Sequence, residues 1–312
     1  MFMKHLRQLE DWVLAGPYTA RGVRVMSRRA AYGLVFATYL ASYGSGLVGV
    51  AKVYGHATLR NQPWWNVATL IAVYAGITTL TVLVSVVATM WLSGKNALAS
   101  GRRPGESRRS WVGAEGANGA AAICLAVICF RVMGAFGSPD FPFLEHPGPA
   151  DNALDLTSSA FAGFHEEFLF CLLIPIAVRS AKHPLLWGIA LSAMLRALFH
   201  TYYGPTTPFL LIWAFLAPLI VLRTGRIWGV VIFHSAFDVV QSWNHIDSSS
   251  GGVAVAAFVL VVLAAVISGV PRVHRALNPP PPPEPAASWH RVVAVLLLAG
   301  ITAPRLVTSR RR

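Results

Sequence analysis

Apolar residues in this chain run almost unbroken for long stretches, separated by short polar segments. A helix needs about 20 mostly apolar residues to cross the hydrocarbon core of a bilayer. Runs of that kind predict helices at 31–52, 67–92, 119–136, 158–178, 185–200, 208–222, 227–241 and 253–270. The runs at 185, 208 and 227 are short, with aromatic residues at their flanks.

The polar segments between the runs differ in charge. With about eight spans, one set of connections carries Lys95, Arg102, Arg103, Arg108 and Arg109, then Arg179 and Lys182, then Arg223 and Arg226, then Arg272 and Arg275. The other set carries Lys52 and Arg60 and the acidic stretch with Asp140, Glu145, Asp151 and Asp155. Cytoplasmic loops collect Lys and Arg, so this alternation predicts an all-α, polytopic membrane protein of about eight transmembrane helices with both termini cytoplasmic. Residues 1–30 form a basic cytoplasmic segment holding Lys4, Arg7, Arg21, Arg24, Arg28 and Arg29, with no small-residue cleavage site after it. The helical domain spans 31–270. Residues 271–312 are a proline-rich cytoplasmic linker and a basic tail. Asn278 to Pro285 predicts a stiff polyproline spacer, and 292–303 is expected to lie on the inner surface rather than cross it.

Composition agrees. Of 312 residues, 55% are hydrophobic and 12% charged, which excludes a disordered chain and an ordinary soluble enzyme. The net charge of +13 follows from the loop arginines, so no nucleic-acid partner is expected. Cys124, Cys129 and Cys171 lie inside apolar runs and read as small hydrophobes.

The informative residues interrupt the apolar runs, because an ionisable group inside the bilayer needs a partner or a purpose. They are His165, Glu166 and Glu167 in the fourth run, Arg196 and His200 in the fifth, His234 and Asp238 in the seventh, and Arg131 in the third. Arg196 and His200 are four apart and share a helix face, as do His234 and Asp238. Glu166 and Glu167 can both border one polar cavity. Two adjacent carboxylates in such a cavity make a poised general base. An imidazole beside them can help deprotonate water, and a second imidazole, with an acid one turn on, can stabilise an oxyanion. No obvious serine or cysteine nucleophile shares a helix with a base, so direct attack by water is the expected chemistry: amide hydrolysis within the membrane. His165-Glu166-Glu167 is not a zincin signature, since position 169 is Leu. From ligand types alone, a metal such as zinc on Glu166, His200 and His234 stays open.

These residues resemble the CPBP family of intramembrane proteases, which includes CAAX prenyl endopeptidases and bacteriocin-processing or self-immunity proteins. The family pattern is Glu-Glu-x-x-x-Arg, then Phe-x-x-x-His, then His-x-x-x-Asn or His-x-x-x-Asp. Here the three read Glu166-Glu167-Phe168-Leu169-Phe170-Cys171, Arg196-Ala197-Leu198-Phe199-His200 and His234-Ser235-Ala236-Phe237-Asp238. The match runs over about 158–241. The resemblance implies an eight-helix fold in which Glu166, with His200, activates water while His234 and Asp238 stabilise the tetrahedral intermediate. The chain departs from the pattern twice, with Cys171 at the motif Arg and Arg196 at the motif Phe. Arg196 is expected to supply the missing guanidinium from the facing helix and to balance Glu167, with Arg131 as the alternative partner.

The resulting expectation is an intramembrane endopeptidase of a bacterial plasma membrane acting on a membrane-associated peptide or protein by glutamate-activated water, without a required cofactor. Two other readings use the same residues: an inactive family member that acts as a membrane binding or immunity protein, and a proton-coupled transporter.

Overall fold

The computed structural model describes residues 2–19, 22–54, 63–98, 106–135 and 148–277. The described residues are helical, with no strand among them. The helices are α1 (Phe2–Leu14), α2 (Arg28–Tyr54), α3 (Trp64–Ser93), α4 (Arg108–Ala135), α5 (Pro149–Glu167), α6 (Ile174–Ser180), α7 (Leu185–Phe199), α8 (Thr207–Thr224), α9 (Trp228–Ile246) and α10 (Ser248–Leu277). All eight predicted runs fall on helices. Among the described residues, five segments are long and apolar enough to cross a membrane: Trp64–Ser93, Arg108–Cys129, Pro149–Ser180, Tyr203–Thr224 and Ser248–Ile267. The α7 helix is apolar but has only 15 residues. The acidic stretch with Asp140 and Glu145, the proline run and the 292–303 segment lie outside the described residues.

Lipid as the outer solvent explains which side chains point inward. On α3 the buried positions include Thr78, Thr81, Ser85 and Thr89, while Leu80, Leu83, Val87 and Trp91 are exposed. Small polar groups suit helix contacts in a bilayer, where apolar side chains gain nothing by leaving lipid. Ser42 on α2 and Thr81 on α3 share a hydrogen bond of 2.7 Å across that contact.

Small residues set the closest approaches around the site. A Cβ on Gly163 of α5 would lie 2.1 Å from the Val231 carbonyl oxygen of α9. At the same crossing the Gly163 N–H donates to Ser235 Oγ at 3.1 Å. Gly163→Ala must therefore push α9 away from α5, and we expect it to cost about 1–3 kcal/mol, the usual range for overpacking. Thermal unfolding in detergent measures this, and an unchanged melting temperature would contradict the tight crossing. Gly229 packs the same way on α4, and its N–H donates to Glu115 Oε2 at 2.8 Å.

The segment joining α5 to α6, Phe168–Leu173, is a π-turn. Its backbone explains Ser192. In this register the N–H of residue 175 would donate to the Phe170 carbonyl, but Pro175 has no N–H to give. Ser192 Oγ on α7 donates to that carbonyl instead, at 2.6 Å, so no peptide oxygen is stranded in an apolar interior.

Two ends of the bundle are tied down. Within the basic N-terminal segment, α1 packs on α7 and α8, and Glu10 Oε1 accepts the Leu185 N–H at 2.7 Å, capping α7 in place of the unhelpful Pro184. Between α9 and α10, hydrogen bonds from Ser249 and Ser250 hold the Asp247 carboxyl down to about 2.

Candidate functional site

The last turn of α5 delivers His165, Glu166 and Glu167 into the interior, where all three are buried. Helix α7 lies opposite and contributes Arg196, which is fully buried. Its Nη2 donates to Glu166 Oε2 at 2.9 Å and to Glu167 Oε1 at 2.6 Å, and its Nε donates to Glu166 Oε2 at 3.1 Å. Nη1 reaches Glu167 Oε2 at 3.4 Å. One guanidinium thus holds both carboxylates, a task for which its rigid fork of donors is suited. Trp213 of α8 forms the floor, with the guanidinium carbon 3.7 Å from its ring centroid, a cation–π contact away from water.

Helix α9 completes the cluster. His234 Nδ1 is 2.8 Å from Glu167 Oε1, and its Nε2 is 3.3 Å from Asp238 Oδ2. Each imidazole nitrogen therefore faces a carboxylate. The Asp238 side chain is 31% exposed, so the cluster opens on its side. His200 caps the end of α7, with Nδ1 bonded to the Arg196 carbonyl at 2.8 Å. That bond assigns the proton to Nδ1 and leaves any chemistry to Nε2. Glu166, His200 and His234 lie close enough to interact electrostatically.

The two adjacent carboxylates are not equivalent. Glu167 accepts from Arg196, His234 and the Cys171 thiol, the last at 2.9 Å. Glu166 receives its described hydrogen bonds from Arg196 alone, all on Oε2. Among the described residues no donor reaches its Oε1, and the Glu166 side chain is 8% exposed where that of Glu167 is fully buried.

The remaining expected residues fall elsewhere. Arg131 is exposed on α4 and pairs with neither glutamate. His165 sits behind the cluster, stacked on Tyr43 at 4.7 Å, with Nδ1 3.3 Å from Tyr74 Oη. The sequence reading did not single out Trp213 or Ser192.

For a metal, the donor set fits poorly. The suggested ligands Glu166 and His234 both face Arg196 Nη2, at 2.9 and 3.4 Å, so a guanidinium already stands where their shared cation would be. Among the described residues, no group of three or more His, Cys, Asp or Glu side chains is arranged to hold a metal ion.

A buried guanidinium clamping paired glutamates, with two histidines on flanking helices, defines an intramembrane site of carboxylate and imidazole groups. Residues 153–240, from α5 to most of α9, match the family model "Type II CAAX prenyl endopeptidase Rce1-like". Over those residues the helical core is similar to CAAX-type proteases, and that likeness together with the apolar helices supports an integral membrane protein. No curated protein and no solved structure matches the chain.

Proposed function

We propose that this protein is an intramembrane endopeptidase in which Glu166 activates water. The observation that carries this reading is the difference between the two glutamates: Glu167 is saturated by donors and fully buried, whereas Glu166 takes its described hydrogen bonds on Oε2 alone and its side chain is 8% exposed. Water held by Glu166 Oε1 and His200 Nε2 attacks the scissile carbonyl carbon and gives its proton to Glu166. The carbonyl oxygen, now an oxyanion, takes the His234 Nε2–H in place of Asp238, whose contact is long at 3.3 Å and lies on the exposed side. Collapse breaks the C–N bond, and the proton on Glu166 passes to the departing amine. Glu167, Arg196 and Trp213 hold these groups in position. Because the guanidinium fills the shared cation position, the reaction proceeds without a required metal.

The substrate is a membrane-associated peptide or protein. The alternating loop charges support eight spans with both ends cytoplasmic, in a bacterial plasma membrane.

The test reconstitutes the full chain with membrane-tethered peptides. We expect cleavage by the parent and a loss of about 100-fold or more in His200→Ala, the scale of a removed general acid–base group. Peptide binding without cleavage in the parent would identify an inactive binding or immunity protein. Solute or proton flux lost in His200→Ala would identify a transporter. A chelator that abolishes cleavage, with zinc restoring it, would overturn the metal-free mechanism.

A further inference from the structure

Away from the site, where α2 and α7 begin, the surface has a depression of about 820 Å³ lined by Arg28, Arg29, Tyr32, His183, Pro184 and Trp187. We infer that this depression is a binding site for the headgroup of an anionic glycerophospholipid.

Three features of the lining support this. First, it is basic without a counter-charge. Arg28 and Arg29 are exposed, neither is in an ion pair among the described residues, and no carboxylate lines the depression. Glu10, at the start of α7, is occupied by the Leu185 N–H at 2.7 Å. Paired guanidinium groups suit a phosphodiester, whose oxygens match their fork of donors.

Second, the aromatic wall is built rather than incidental. Trp187 Nε1 donates to Tyr32 Oη at 3.2 Å, and the Tyr32 ring meets His183 edge-on at 5.8 Å. The turn carrying His183 is held in turn by Arg179 Nη1, which donates to the His183 carbonyl at 3.3 Å. Trp187 remains 49% exposed. Tryptophan and tyrosine settle at headgroup depth, where one edge is apolar and the other wet.

Third, the position is right for a lipid. Arg28 and Arg29 begin α2, and the apolar stretch of that helix follows directly, so a phosphate on the arginines would leave its acyl chains alongside the bundle. The volume lies within the ~300–1,000 Å³ of ordinary small-molecule sites. A soluble phosphate would meet the same arginines but would gain nothing from the exposed indole. This assignment does not depend on the protease reading, since the site is read by binding alone.

The experiment uses the full chain in phosphatidylcholine nanodiscs containing a trace of photoactivatable phosphatidylglycerol or photoactivatable phosphatidylcholine. Labelled peptides are then mapped. We expect the phosphatidylglycerol probe to label the peptides holding Arg28–Tyr32 and His183–Trp187 at least about five-fold more than the phosphatidylcholine probe, the effect of a single basic residue near an anionic headgroup. Arg28→Gln with Arg29→Gln should remove that preference. Arg108→Gln with Arg109→Gln, which takes the same charge from the exposed start of α4, should leave it intact. Equal labelling by both probes would overturn the site, as would preference surviving in the Arg28/Arg29 variant or lost equally in the Arg108/Arg109 variant. Millimolar inorganic phosphate that abolishes the phosphatidylglycerol label would make this a soluble-anion site and overturn the lipid assignment. The comparison of the two probes on the parent needs no variant, so it stands even if a substitution disturbs folding.

Discussion

Glu166→Gln is expected to abolish proteolysis while the protein stays folded. The amide keeps the shape of the side chain, and its oxygen can still accept from Arg196 Nε and Nη2 as Oε2 does now. What disappears is the basic oxygen that takes the proton of water. A positioned general base contributes about 10²–10⁴-fold, so the turnover number should fall by that factor with little change in melting temperature. Glu167→Gln should behave differently. Its carboxylate is bound by Arg196, His234 and Cys171, so loss of its charge should lower stability as well as rate. Turnover and thermal unfolding measured on both variants separate the two roles. Activity in Glu166→Gln within ten-fold of the parent would move the base to another residue.

The second large effect concerns Arg196. Arg196→Ala leaves two glutamates side by side in the interior with no guanidinium between them and empties the space over Trp213. Removing one partner of a buried ion pair costs about 3–5 kcal/mol, so this variant should lose most of its folded yield. A variant as stable and active as the parent would refute the charge-balancing role. A paired substitution gives a sharper test. The Cys171 thiol reaches Glu167 Oε2 at 2.9 Å, so the side chain at 171 approaches the same carboxylate from the π-turn. Arg196→Phe alone should fail to fold, while Arg196→Phe combined with Cys171→Arg restores the family pattern and should recover folded protein and part of the activity. If the pair is no better than Arg196→Phe, the two positions are not interchangeable sources of the guanidinium.

Much of this was legible in the sequence for a simple reason: an ionisable group in an apolar run is conspicuous. Glu166, Glu167, His200, His234 and Asp238 stood out on that ground, and the spacing of four placed each pair on one helix face. The two departures from the motifs, Cys171 in place of Arg and Arg196 in place of Phe, drew attention to Arg196. Trp213 was hidden because an aromatic residue in an apolar helix has no contrast with its neighbours, and its partner lies on another helix. Ser192 was equally silent, since its role depends on a carbonyl left over by Pro175 some distance back along the chain. The inequality of the two glutamates was also unreadable. It depends on which oxygen meets which donor, and spacing along one helix does not encode that. The inward-facing threonines and serines of α3 show the same limit, because a uniformly apolar run does not reveal which face meets protein and which meets lipid.

The π-turn at 168–173 has a consequence for how this chain tolerates changes in length. A π-turn accommodates one more residue than an α-helix would need over the same rise. Removing one residue inside it can close the bulge into regular α-helix, keeping α5 and α6 in frame with their neighbours. The same deletion one turn earlier in α5 would rotate Glu166 and Glu167 by about 100° away from Arg196. Length variation among related chains should therefore gather at this turn and avoid the rest of the helix.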